Sequence, residues 1–126
     1  MINDLTSSVI ESAIKVHKVL GPGLLESSYK ECLAYELNKK GLIVEKEKPV
    51  PLIYEEVKLE CGYRIDILIN SELVLELKSV DAIADIHIAQ TLTYMKLTNI
   101  QYGLLINFNV VLLKEGIKRL INKYYK

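Results

Sequence analysis

The chain has 126 residues, half of them hydrophobic, with 16 basic and 16 acidic side chains and no net charge. That length suits a single domain spanning residues 1–126, and the apolar content excludes a disordered chain. Balanced charge excludes a global field that would gather polyanions, so avid binding to nucleic acid through phosphate neutralisation alone is not expected. The basic residues Lys114, Lys118, Arg119, Lys123 and Lys126 do cluster near the end, where a solvated face is the simpler reading.

Cys32 and Cys61 have no metal-type spacing and no flanking histidine to complete a zinc site. The start, Met1-Ile2-Asn3-Asp4-Leu5, lacks the basic and apolar regions of a signal peptide, and no stretch approaches a membrane span. A cytoplasmic protein with no membrane partner is expected.

In chain order, Leu5, Val9, Ile10, Ala13, Ile14, Val16 and Leu20 recur at helical spacing, with Asp4 as the expected N-cap. Gly21-Pro22-Gly23 breaks that helix. A second runs over 24–40 through Leu25, Cys32, Leu33 and Leu37, and Gly41 stops it. The pattern then turns to strands over 42–48, 57–69 and 73–79, with Pro49 and Pro51 confining the first to a sheet edge or a bulge. Residues 82–97 read as a helix. Residues 102–108 are almost continuously apolar, as in a strand covered on both faces. The terminal segment 115–125 is predicted to be helical. A meander followed by a helical crossover places the strand after the crossover parallel to a neighbour. The class is α/β.

Chemistry concentrates on the second and third strands. By alternation, Ile65, Ile67 and Ile69 share one face and Asp66 lies opposite; Leu73, Leu75 and Leu77 share a face, with Glu76 and Lys78 opposite. If Ile69 pairs with Leu73 across the turn Asn70-Ser71-Glu72, Asp66 faces Glu76 with Cβ atoms about 5 Å apart. Two carboxylates that close repel unless a proton or cation lies between them. Mg²⁺, which accepts one or two carboxylates, water and phosphate oxygens, is the natural occupant, and Lys78 is placed to orient water or offset charge on phosphorus. An amphipathic hairpin with a wet charged face also produces such a triplet, but flanking strands this apolar put the charges in a cleft. On the third helix His87, Gln90 and Tyr94 form a polar stripe. Glu26 and Tyr29 are i, i+3 neighbours just inside the second helix, where a carboxylate is favoured by the helix dipole in any case.

Together these residues resemble the GxxExxY family, a branch of the PD-(D/E)XK nuclease superfamily. Gly23-Leu24-Leu25-Glu26-Ser27-Ser28-Tyr29 carries the naming motif. Tyr63-Arg64-Ile65-Asp66 with Glu76-Leu77-Lys78 is similar to the catalytic motif, with Ile65 in place of its proline. Residues 87–94, containing Gln90 and Tyr94, are similar to the Q-x3-Y signature, and residues 103–108 to the strand after the crossover helix. The resemblance spans about residues 5 to 120. It implies a restriction-endonuclease-like core of αβββαβ order, a four-stranded mixed sheet flanked by helices. It implies Asp66, Glu76, the Leu77 carbonyl and Glu26 as ligands of Mg²⁺ or Mn²⁺, with Lys78 as the catalytic lysine. Gln90 and Tyr94 would position the lysine, a water or a nucleic-acid backbone. The implied activity is metal-dependent cleavage of nucleic acid, DNA first. Two alternatives stay open: a non-catalytic module that binds nucleic acid or a protein on the same fold, and a homodimer that shares its nucleic-acid contacts between subunits.

Overall fold

The computed structural model describes all residues 1–126. Helix α1 (Ile2–Leu20) begins with Met1 as its N-cap, so Asp4 lies in the first turn rather than at the cap. It buries Leu5, Val9, Ala13 and Val16, the i, i+4 stripe that the periodicity marks. The chain turns at Gly21 and Gly23, whose φ values of 74° and 95° lie in the region that glycine occupies without strain. Helix α2 (Glu26–Lys39) then packs its Tyr29, Leu33 and Leu37 against the sheet.

Five strands form that sheet: β1 (Val44–Pro49), β4 (Arg64–Ile69), β5 (Leu73–Lys78), β6 (Tyr102–Asn107) and β7 (Ile117–Ile121), in the order β1-β4-β5-β6-β7. Only β5 and β6 are parallel, joined by the crossover helix α3 (Asp85–Thr98). A separate hairpin, β2 (Leu52–Tyr54) with β3 (Val57–Leu59), stands between β1 and β4 in sequence and pairs with neither. The expected core strands and crossover are therefore present, and the α/β architecture is that of a restriction-endonuclease-like fold.

Two segments depart from expectation. The stretch 57–69 is two strands, because Gly62, with φ 77°, and its neighbours break the run between β3 and β4. The terminal segment is strand β7 rather than a helix, and so the mixed sheet gains a fifth member. Its apolar residues Ile117, Leu120 and Ile121 fit a helical stripe as well as a half-covered edge strand. Antiparallel pairing with β6, Ile106 opposite Ile117 through Tyr102 opposite Ile121, decides the matter.

The sheet is covered on both faces. Ile67, Ile69, Leu73, Leu75, Leu77, Leu104, Ile106 and Phe108 meet α1 and α2; Leu68 and Val74 meet Tyr94, Met95 and Ile100 of the α3 side. Burying side chains of this size stabilises by roughly 2 kcal/mol each. Gly103 lets α3 approach β6 closely: a Cβ there would meet Met95 Sδ at 2.7 Å. Asn122, just after β7, donates from Nδ2 to the carbonyls of Met95 and Ile100, both at 3.2 Å, and satisfies the end of α3.

Candidate active site

The register of β4 and β5 places Ile69 opposite Leu73, Leu68 opposite Val74 and Ile67 opposite Leu75. Continued by one rung, it would set Asp66 against Glu76, but the backbone ladder stops short. The carboxylates take over its hydrogen bonds. Asp66 N–H donates to Glu76 Oε2 at 2.7 Å, and Leu77 N–H donates to Asp66 Oδ2 at 2.9 Å. On the other side, β1 pairs Lys46 with Ile67 and Lys48 with Ile65, and the rung between Glu47 and Asp66 is missing. Glu47 has φ 55°, a left-handed conformation that turns its backbone out of the ladder. With both neighbours' rungs absent, alternation breaks at Asp66. Ile67 and Ile69 face α1 and α2 as expected, whereas Ile65 packs with Leu68 on the α3 side.

Each carboxylate thus spends one oxygen on a backbone N–H. Asp66 Oδ1 and Glu76 Oε1 have no protein partner, and neither is sealed from solvent. No ion pair involves either residue. Burial drives the Glu76 carboxyl up to about 8, with the charge of Asp66 adding to it; the Asp66 N–H and the Lys78 ammonium oppose the rise without cancelling it. Asp66 is also raised, by burial first and then by the charges of Glu47 and Glu26, against the Leu77 N–H and Lys30. Tyr94 is raised by burial and by the nearby charge of Glu76.

The remaining expected residues are positioned by distinct devices. The Tyr29 hydroxyl donates to the Gly21 carbonyl at 2.6 Å and accepts from Leu24 N–H at 3.1 Å, and its ring stacks on Phe108 at 4.4 Å. Ser79 Oγ donates to the Leu24 carbonyl at 2.6 Å. The corner is thereby clamped to the end of β5, and Glu26 at the start of α2 is held near enough for its charge to reach Asp66. Beyond Lys78, Asn107 holds the outgoing chain, donating to the Val80 carbonyl at 3.0 Å and accepting from Val80 N–H at 3.1 Å. Tyr94 is buried at the carboxylates, while Gln90, one turn earlier on α3, is exposed and forms no hydrogen bond to the pair. His87 does not join them: its Nδ1 accepts from Ala84 N–H at 2.9 Å and caps α3.

Sequence reasoning missed two charged residues. Lys30, one turn after Glu26, is hydrogen-bonded to Glu47, with only 16% of its side chain exposed. Burial pulls its ammonium down, but Glu47 and then Asp66 outweigh that and raise it above the ordinary lysine value. A helical i, i+4 spacing of Glu26 and Lys30 was available as a signal. Nothing local could place Glu47, because residues 50–63 separate β1 from β4 and leave their register free.

The donor chemistry suits a hard divalent cation. Two carboxylates offer one free oxygen each, and no protein cation pairs with them. No three His, Cys, Asp or Glu side chains converge into a ready-made cage, so water or substrate oxygens would fill the remaining positions. Exposed Glu26 stands off the pair rather than closing a third side.

The chain matches the PD-(D/E)XK nuclease superfamily over residues 3–120. No curated protein and no solved structure matches it. No helix is long and apolar enough to cross a membrane.

Proposed function

The chain belongs to the PD-(D/E)XK nuclease superfamily, and from that premise we propose that it hydrolyses phosphodiester bonds in nucleic acid, DNA foremost, with Mg²⁺ or Mn²⁺. One observation carries the reading. Glu76 is fixed by the Asp66 N–H and Asp66 by the Leu77 N–H, and both are partly withdrawn from water with no ion-pair partner. Carboxylates at such depth are neutralised by a proton or a counter-charge, and the two free, solvent-reached oxygens here offer that place to a divalent cation.

In this reading Asp66 Oδ1 and Glu76 Oε1 hold the cation, with the Leu77 carbonyl as a further ligand and Glu26, which stands off the pair, reaching the ion through water. The bound ion would neutralise the pair and polarise a phosphate oxygen and a water. The backbone N–H bonds fix both carboxylates before any substrate arrives, so little reorganisation is needed on binding. Lys78 carries an ammonium with no ion-pair partner, available to water or to charge building on phosphorus. In the step itself the water gives up a proton to solvent as its oxygen bonds to phosphorus, the ester P–O bond breaks, and the leaving alkoxide takes up a proton from water. The Tyr94 hydroxyl, within range of the Glu76 charge, helps to hold the water and lysine, and Gln90 contacts the nucleic-acid backbone. The Gly23, Glu26, Tyr29 motif supports placement in the GxxExxY branch.

Cleavage of single-stranded DNA, duplex DNA and RNA with Mg²⁺ or Mn²⁺ tests this directly. Wild type should cut at least one of them. Asp66→Asn and Lys78→Ala should each lose roughly 100-fold or more, the scale of removing one preorganised charge contact. No cleavage of any substrate, or variants that cut like wild type, would favour the non-catalytic binding module.

A further inference from the structure

The β2–β3 hairpin lies in the connection between the two strands that flank the missing rung at Asp66, and it is not hydrogen-bonded into the main sheet. A cleft of about 440 Å³ lies at its root, lined by Pro51, Lys58, Leu59, Glu60, Tyr63 and Arg64 among others. That volume falls within the range of sites for small organic groups. Three of its side chains are unspent. Neither Lys58 nor Arg64 makes an ion pair. Tyr63 keeps 46% of its surface exposed.

Tyr63 and Arg64 tie the cleft to the neighbourhood of the carboxylates. Tyr63 lies 6.1 Å, centroid to centroid, from Tyr94, whose hydroxyl feels the Glu76 charge. Arg64 is two residues from Asp66 on the same strand. A flat apolar ring flanked by an arginine and a lysine matches a base and its phosphate: aromatic faces stack bases, and guanidinium and ammonium groups bind phosphate.

The charge pattern then chooses between one strand and two. The hairpin tip carries Glu55 and Glu56, and the cleft margin carries Glu60. With no net positive charge on the chain, a duplex would meet these carboxylates without the row of phosphate contacts that normally drives its binding. A single strand needs only the root of the hairpin.

We propose that this cleft is a nucleotide subsite of the same site. It takes one unpaired nucleotide of a single-stranded nucleic acid, with the base on the Tyr63 ring and the phosphate between Arg64 and Lys58. The direction of the strand toward Asp66 and Glu76 rests on the nuclease reading; the binding itself does not.

Fluorescence anisotropy in EDTA, where nothing is cut, tests it with a labelled single-stranded DNA oligomer and the duplex of the same sequence. The single strand should bind at least about tenfold more tightly. Tyr63→Ala should weaken that binding by roughly five- to 150-fold, the range for one stacked base, and Tyr63→Phe should retain it. Arg64→Gln should weaken it and flatten the slope of log affinity against log salt by about 0.7. Duplex bound as tightly as single strand, or Tyr63→Ala within twofold of wild type, would overturn the subsite. Tyr63-dependent binding in a protein that never cleaves would support the subsite and count against the nuclease reading. Cleavage of duplex untouched by Tyr63→Ala would do the reverse.

Discussion

Lys30 stands between two acidic groups of unequal importance. It is hydrogen-bonded to Glu47 and its charge reaches Asp66. The negative potential offered to a cation at Asp66 therefore depends on a pair outside the proposed ligand set. Removing the ammonium with Lys30→Gln should tighten Mn²⁺ binding several-fold, since a positive charge that repels the cation at Asp66 is lost and Glu47 is released. Glu47→Gln removes a carboxylate and frees the lysine to approach Asp66, so it should weaken Mn²⁺ by a similar factor. A calorimetric comparison of the two variants reads the opposite signs. At this scale the sequence was informative wherever alternation and the short turn at 70–72 applied, which covers Glu76 and Lys78 and brings Asp66 near Glu76, but not Ile65, which lies beyond the break in alternation. It was silent on Glu47, whose place follows from pairing across an inserted hairpin. It put His87 in one stripe with Gln90 and Tyr94 without a role, and the role is local: one ring nitrogen accepts from the Ala84 N–H.

The elements that hold the site meet at two glycines with different tolerances. At Gly103 an added Cβ would strike the flexible end of Met95, which can move, so Gly103→Ala should cost about 1 kcal/mol. At Gly116 it would lie 2.3 Å from the backbone carbonyl oxygen of Asn107, which has no such freedom. Gly116→Ala should therefore cost about 3 kcal/mol or more. Chemical denaturation of the two variants would rank them; equal stabilities would contradict the close approach of the β7 entry to β6. The same region explains why the final strand was unreadable locally. Ile117, Leu120 and Ile121 suit either periodicity, and only β6, already in place, supplies the edge against which β7 pairs. The helices α1, α2 and α3 were legible because their stripes and breakers lie within one window, whereas the split of 57–69 depended on the hairpin leaving the sheet.

Across the whole molecule, stability is linked to the charge state of the carboxylate pair. Glu76 titrates near 8 in the folded chain and near the ordinary 4.3 when unfolded. The folded state thus holds its proton more tightly, and stability present below about pH 4 is lost as pH rises toward 8. Asp66 is raised as well and acts in the same direction. Metal-free protein should melt several degrees lower at pH 9 than at pH 6, and Glu76→Gln should remove most of that difference; a wild-type melting temperature flat across this range would contradict the burial of an unpaired Glu76. A divalent cation must displace the proton, so it should stabilise more at pH 8 than at pH 6. The most direct measurement is a calorimetric titration of Mn²⁺ into wild type, Asp66→Asn and Glu76→Gln at pH 7.5, each confirmed folded by circular dichroism. Saturable binding of Mn²⁺ with proton release in wild type, lost in both variants, is the predicted result. No binding to wild type at millimolar Mn²⁺, or equal binding to all three, would contradict a cation held between Asp66 and Glu76.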